Sequence, residues 1–251
     1  MMPCVWLHGF AGSGEAISNV ATALRDVLEV KTPTLPGHGL KPLLPCSAEV
    51  GWEWTVDSLC ERVDALGRCV LMGYSQGARL ALAVALRRPD RVARLVLESG
   101  TAGMESSEER SARRSSDDQL ARAVESDGVD DFMNSWERQP IFEGLQALPE
   151  RARHELSERR RAHTAPGLAW ALRALGQGRQ PSLWNQLEAL PVPTLLLSGQ
   201  RDAKYTGLAK AMANRLPHAR TAVLRCGHAP HLEAPASVVD MVRSFVEAPA
   251  P

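Results

Sequence analysis

Gly73-Tyr74-Ser75-Gln76-Gly77 follows the apolar run Cys69-Val70-Leu71-Met72 and precedes a helix-like stretch from about Ala78. That spacing puts a serine on a sharp strand-to-helix turn, with its hydroxyl at the strand end and a helix N-terminus beneath it. Such a turn leaves no room for a side chain two residues to either side, which accounts for glycine at Gly73 and Gly77. A hydroxyl so placed becomes a nucleophile or a base when an imidazole takes its proton, and free backbone amides favour the negative charge that develops nearby. Two later stretches supply the partners: Thr194-Leu195-Leu196-Leu197 leads into Ser198-Gly199-Gln200-Arg201-Asp202, and Ala222-Val223-Leu224 leads into Cys226-Gly227-His228. Ser75, Asp202 and His228, each just past a predicted strand and in that order, make a Ser-His-Asp triad in which the carboxylate orients the imidazole. In isolation Asp202 reads as a helix N-cap and His228 as a satisfied loop histidine, but neither reading explains the set.

The elements that must position these groups are short apolar strands alternating with helical periodicity. Strands are expected near 3–7, 28–31, 69–73, 92–98, 193–198 and 220–224, and helices near 15–25, 51–66, 76–88, 204–215 and 235–247. This alternation predicts an α/β fold, a mainly parallel sheet with helices on both faces. With the serine turn and the triad order it predicts the α/β-hydrolase fold. Val5-Trp6-Leu7-His8-Gly9-Phe10 reads as a further strand feeding the loop that supplies one oxyanion N–H in such a fold. The interval 101–181 breaks the alternation and is charged and helically periodic, as in Asp117 to Val124 and Leu168 to Leu175. It reads as a helical cap inserted into a core made of 1–100 and 182–251, the whole forming one catalytic domain. The cap holds twelve arginines and no lysine against fourteen carboxylates, so bulk charge decides nothing there. An inward-turned guanidinium would matter, because it grips a carboxylate bidentately where water is scarce. Arg113 and Arg160 are candidates, whereas Arg151 and Arg153 read as solvated helix residues.

Composition narrows the classes. A chain of 251 residues with 44% apolar content can bury a large single core. Zero formal net charge and a pI near 7.1 argue against non-specific attraction to nucleic acid or to anionic lipid. No apolar run reaches the length of a membrane span, and the N-terminus enters a strand by about Pro3 without a secretion signal, so a cytoplasmic location is expected. Five cysteines, Cys4, Cys46, Cys60, Cys69 and Cys226, lack C-x-x-C spacing, which disfavours a disulfide framework or a zinc site. Cys4 and Cys69 read as small core residues, and Cys226 as structural despite its place beside His228.

Several strings together carry a resemblance. They are Leu7-His8-Gly9-Phe10, Leu35-Pro36-Gly37-His38-Gly39, Gly73-Tyr74-Ser75-Gln76-Gly77-Ala78-Arg79, the Arg-rich segment ending Ser116-Asp117, and Trp136 through Pro140-Ile141-Phe142. Leu97-Glu98-Ser99, Gln180-Pro181-Ser182-Leu183-Trp184, Asp202-Ala203-Lys204-Tyr205 and Gly227-His228-Ala229-Pro230-His231-Leu232-Glu233 complete the set. From about residue 5 to 245 the chain resembles the 2-succinyl-6-hydroxy-2,4-cyclohexadiene-1-carboxylate synthases of menaquinone biosynthesis, within the α/β-hydrolase superfamily. The resemblance implies a triad of Ser75, Asp202 and His228, carboxylate-binding Arg113 and Arg160, and a pocket lined by Tyr74, Trp136, Phe10 and Gln76. Phe10 and Gln76 would offer backbone N–H groups at the oxyanion position. Ala78 stands where the family has a second glycine after the serine turn, a change that would crowd helix packing.

The implied reaction is an elimination: a ring proton leaves, the enolpyruvyl ether breaks, and pyruvate departs from a polycarboxylate substrate. Ser75 would act as a base through His228, with no acyl intermediate, and neither metal nor organic cofactor is implied. The same triad serves a carboxylic-ester hydrolase with Ser75 as nucleophile, and the two readings separate in the cap, where the synthase needs inward arginines. A third reading, a binding module on a hydrolase scaffold, is disfavoured by the intact triad.

Overall fold

A computed structural model describes residues 1–249. Six parallel strands form one sheet in the spatial order β2-β1-β3-β4-β5-β6: β1 is Met2–Leu7, β2 Leu28–Lys31, β3 Cys69–Tyr74, β4 Val92–Glu98, β5 Thr194–Gly199 and β6 Ala219–Leu224. In β1, β3, β4 and β5 both faces are buried and apolar residues serve both sides, whereas the edge strands β2 and β6 are largely part-buried or exposed. Val5, Leu7, Leu71, Leu95 and Leu97 join one helical layer, and Cys4, Trp6, Val70, Met72 and Val96 join the other. The helices are α1 (Ser18–Ala23), α2 (Gly51–Leu66), α3 (Gln76–Arg87), α4 (Ser107–Trp136), α5 (Glu150–Arg161), α6 (Ala165–Leu175), α7 (Ala203–Ala213), α8 (Pro230–Glu233) and α9 (Pro235–Glu247). Residues of α2, α3 and α7 cover the first face; residues of α1 and α9 cover the second.

Strand order reverses between β1 and β3, since the chain runs outward from β1 to β2 and then returns to the other side of β1. Crevices in open parallel sheets form at such a switch point, outside the carboxyl ends of the strands. Phe10 follows β1 and Ser75 follows β3, so the crevice lies between the residues the sequence singles out.

Between β4 and β5 the chain is helical. Ser106 caps α4 by accepting from the Glu109 amide at 3.2 Å, and Thr164 caps α6 by accepting from the Gly167 amide at 3.2 Å. A 3-10 segment, Pro140–Ala147, joins α4 to α5. Ala121 and Val124 of α4 pack on Leu168, Ala169 and Leu172 of α6. A kink at Gly128, with φ 83° and ψ 172°, breaks α4. One departure from expectation is the predicted helix at 15–25, which divides into a 3-10 turn at Gly14–Ile17 and a short α1, with no side-chain cap at either start. Among the described residues, no helix is long and apolar enough to cross a membrane.

Candidate active site

Ser75 holds φ 50° and ψ −106°, a left-handed backbone that an L-residue keeps only under constraint. Its amide donates to the Glu98 carbonyl at 2.8 Å, which fastens the turn to β4. A Cβ on Gly73 would stand 2.6 Å from the Ala78 nitrogen, and one on Gly77 would stand 2.6 Å from the His8 carbonyl oxygen. Both glycines are therefore steric necessities. The crowding expected from Ala78 is absorbed by Gly100, where a Cβ would lie 2.7 Å from the Ala78 methyl.

The three triad side chains meet. His228 Nδ1–H donates to Asp202 Oδ2 at 2.6 Å, which leaves Nε2 to accept from the Ser75 hydroxyl at 3.3 Å. Asp202 is buried, and its other oxygen accepts from the Tyr205 amide at 3.2 Å. The capping and orienting readings of this residue are thus both true, one per carboxylate oxygen. The rings of Tyr205 and Tyr74 stand 4.6 and 5.5 Å from that of His228 and wall it from water. Cys226 is fully buried and burial pushes its thiol up to about 12, so it stays protonated and inert.

Ser75 and His228 face two adjoining hollows, of about 270 and 50 Å³, that share Phe10, Trp136 and Phe142. The larger adds Gln76, Arg79, Arg113, Asp117, Lys204 and Tyr205; the smaller adds Tyr74, Arg160 and His231. Eight of the nine residues singled out from the sequence line one or both, and the ninth, Asp202, stands behind His228 on its Nδ1 side. Phe10 packs edge-on to Trp136, ring centres 5.0 Å apart. Trp136 Nε1 and Gln76 Oε1 are buried without a hydrogen-bond partner among the described residues. Gln76 also begins α3, and its amide is among those with no acceptor inside the helix.

The arginines differ in kind. Arg113, on α4, donates through Nε to the buried Asp117 at 2.8 Å, and Asp117 also accepts from the Gly178 amide at 3.3 Å. This pairing holds the guanidinium at the larger hollow with its outer edge free. Arg160 is the inward member of its run: its side chain is 10% exposed against 28% for Arg159 and 25% for Arg161. It lies over the Phe142 ring at 4.9 Å and 3.5 Å from Glu137, and burial lowers its pKa from the usual arginine range. Arg151 and Arg153 are exposed, Arg151 pairing with Glu155 at 2.8 Å.

Arg79 closes the serine-turn string that carries the resemblance, but sequence reasoning assigned it no role. One helical turn after Ser75 on α3, it is buried, donates to the Leu175 carbonyl at 2.7 Å and sits over Trp52 at 5.7 Å. Among the described residues it has no carboxylate ion-pair partner; burial pulls it down to about 10, which leaves it cationic at neutral pH. Its i, i+4 spacing from Ser75 was the available signal. Lys204, beside Asp202, adds a further cation at the larger hollow.

Three more buried imidazoles frame the loop after β1. His8 Nε2 accepts from the Leu35 amide at 3.0 Å, His38 Nε2 from the Ala11 amide at 3.2 Å, and His163 Nδ1 from the Gly39 amide at 2.8 Å. Among the described residues no cluster of three His, Cys, Asp or Glu side chains is placed to hold a metal ion.

A strained serine on a strand-to-helix turn, a triad drawn from three strand ends and a parallel sheet beneath define an α/β hydrolase, and the profile of the α/β hydrolase family matches residues 4–241. The 2-succinyl-6-hydroxy-2,4-cyclohexadiene-1-carboxylate synthase of Pectobacterium atrosepticum is 32% identical over 248 residues, covering 98% of this chain and 94% of that one. The structure of MenH from S. aureus superposes with a TM-score of 0.93 at 30% identity, over 98% and 93% of the two chains. A thermophilic esterase from Thermogutta terrifontis, malate bound, has a TM-score of 0.81 at 28% identity, over 98% and 89%. Within the α/β-hydrolase class, the chain belongs to the 2-succinyl-6-hydroxy-2,4-cyclohexadiene-1-carboxylate synthase family.

Proposed function

We propose that the protein is a pyruvate-eliminating carbon–oxygen lyase acting on the enolpyruvyl cyclohexene polycarboxylate of menaquinone biosynthesis. The observation that carries this reading is the convergence of Arg79, Arg113 and Arg160 on one serine. A pocket for apolar esters has no use for three guanidiniums, whereas a substrate with several carboxylates needs them.

In this reading His228, neutral and held by Asp202, draws the proton from Ser75, and the serine oxygen takes the ring proton. The electron pair left behind forms the new ring double bond as the ether C–O bond breaks and enolpyruvate departs, to take up a proton as pyruvate. The amides of Phe10 and Gln76 and the guanidiniums stabilise charge that develops on substrate oxygens. Water is kept from the site by Tyr74, Tyr205, Trp136 and Phe142. Residues 101–181 act as the cap over a core of 1–100 and 182–251, no cofactor takes part, and the enzyme works in the cytoplasm.

Incubation with the enolpyruvyl precursor, following pyruvate release and diene absorbance, tests the reading. Absence of both products while simple aryl esters are cleaved quickly would replace it with the ester hydrolase, which the likeness to the Thermogutta esterase keeps in view. Mass spectrometry during turnover separates the two mechanisms: a base leaves the protein unmodified, and a nucleophile leaves an adduct on Ser75.

A further inference from the structure

We propose that Glu233 is a positioning residue through which the helical insert sets the place of His228, an inference that rests on the triad reading. Glu233 ends α8, and its side chain is 4% exposed. One oxygen accepts from the Gly227 amide at 2.6 Å and the other from the Ala229 amide at 3.2 Å. A single carboxylate thus holds the peptide groups on both sides of His228. Arg201, the neighbour of Asp202, donates to the same carboxylate at 2.8 Å, while its own amide donates to the Cys226 carbonyl at 3.0 Å. The turns carrying the triad acid and the triad imidazole are therefore tied at one point.

The insert touches that point. A Cβ on Gly144 would stand 2.7 Å from the Glu233 carboxyl carbon and 3.0 Å from one of its oxygens, so the Gly144 backbone rests against the carboxylate. Gly144 belongs to the 3-10 segment Pro140–Ala147, which also carries Ile141 and Phe142 to the larger hollow. Glu233 lines neither hollow at Ser75, so its influence on the reaction passes through His228. Any shift of this segment over bound substrate presses on Glu233 and is felt by the imidazole.

The test is Gly144→Ala, whose methyl would meet Glu233 first; Gly144 lines neither hollow at Ser75, and the change asks nothing unusual of the backbone, since Gly144 is not among the positive-φ glycines. It is compared with Glu233→Gln, which weakens the grip on the amides, and with Gly144→Ala combined with Glu233→Ala, which removes the carboxylate the new methyl would strike. Kinetics on the enolpyruvyl precursor, the rate of Ser75 labelling by a fluorophosphonate, and the low-field proton NMR signal of His228 Nδ1–H are the readouts. Both single variants should lose kcat by about tenfold to a hundredfold with KM within about twofold, and the low-field signal should move or broaden. Adding Glu233→Ala should cost Gly144→Ala nothing further, because the residues act as one unit. Gly144→Ala and Glu233→Gln with native kcat and an unmoved signal would overturn the inference alone. If Gly144→Ala fails to fold, Glu233→Gln decides by the same readouts. A native protein inert to the fluorophosphonate and without the low-field signal would overturn the triad reading, and the inference with it.

Discussion

At the scale of single residues, the triad spacing gives a direct expectation. Ser75→Ala should abolish most turnover on the enolpyruvyl precursor, by orders of magnitude, while thermal unfolding stays close to native because the hydroxyl carries no packing. His228→Ala and Asp202→Asn should be costly as well, and combined variants should fall far short of additivity. Native-like turnover by Ser75→Ala would sink the assignment. For the guanidiniums, Arg113→Ala and Arg160→Ala should each cost about 2 to 5 kcal/mol in transition-state binding, with lysine restoring only part. Arg113→Ala also leaves the buried Asp117 without its charged partner, so its unfolding must be measured beside its kinetics. Catalytic efficiency of Arg151→Ala and Arg153→Ala should stay within about twofold of native, since both side chains are exposed.

At the scale of elements, the glycines divide by cause. Gly77 packs against the carbonyl end of β1, and Gly77→Ala should block assembly of the serine turn, giving insoluble or inactive protein. Gly128 has nothing within 4 Å of where a Cβ would stand, yet its backbone lies in a region reserved almost wholly for glycine. Gly128→Ala should therefore destabilise by about 1 to 3 kcal/mol through backbone strain alone, read as a lower urea midpoint with an unchanged slope. A native midpoint would mean that α4 straightens freely.

At the scale of the whole molecule, three buried imidazoles make the fold sensitive to acid. Desolvation drives His8 down to about 4 and His38 well below the usual histidine range, and it lowers His163 as well. Each must stay neutral, since a ring nitrogen accepts an amide hydrogen bond. A histidine depressed on folding binds its proton more readily in the unfolded chain, so its contribution is complete above the unfolded value near 6.5 and is lost as pH falls toward the folded value. For His8 the loss between about pH 6.5 and 4 approaches about 3 kcal/mol. Urea unfolding across this range should show stability falling steeply with acid, and replacing His8 by Gln should flatten the slope. A flat native profile would contradict the burial of these neutral rings.

The fold and the meeting of Ser75, Asp202 and His228 were legible in the chain because they depend on short-range signals. Apolar runs of strand length, glycines flanking Ser75, and acid and imidazole each just past a strand are local patterns with one steric solution. The partition of the triad carboxylate between His228 and the cap of α7 was half legible, since capping and orienting compete in sequence and cooperate in space. What only the tertiary structure decided is which way the long charged side chains of the insert turn. Spacing on α5 cannot choose among Arg159, Arg160 and Arg161, because the choice depends on Phe142 and Glu137 from another element. Arg79 was noted in the serine-turn string but left without a role for the same reason: nothing near it in sequence says that the end of α6 and Trp52 bury it. The clamp of Glu233 on Gly227, Ala229, Arg201 and Gly144 likewise joins segments up to 89 residues apart, through contacts that exist only once the chain has closed. Periodicity sets which face of an element is apolar, and long-range packing alone sets which charge that face encloses.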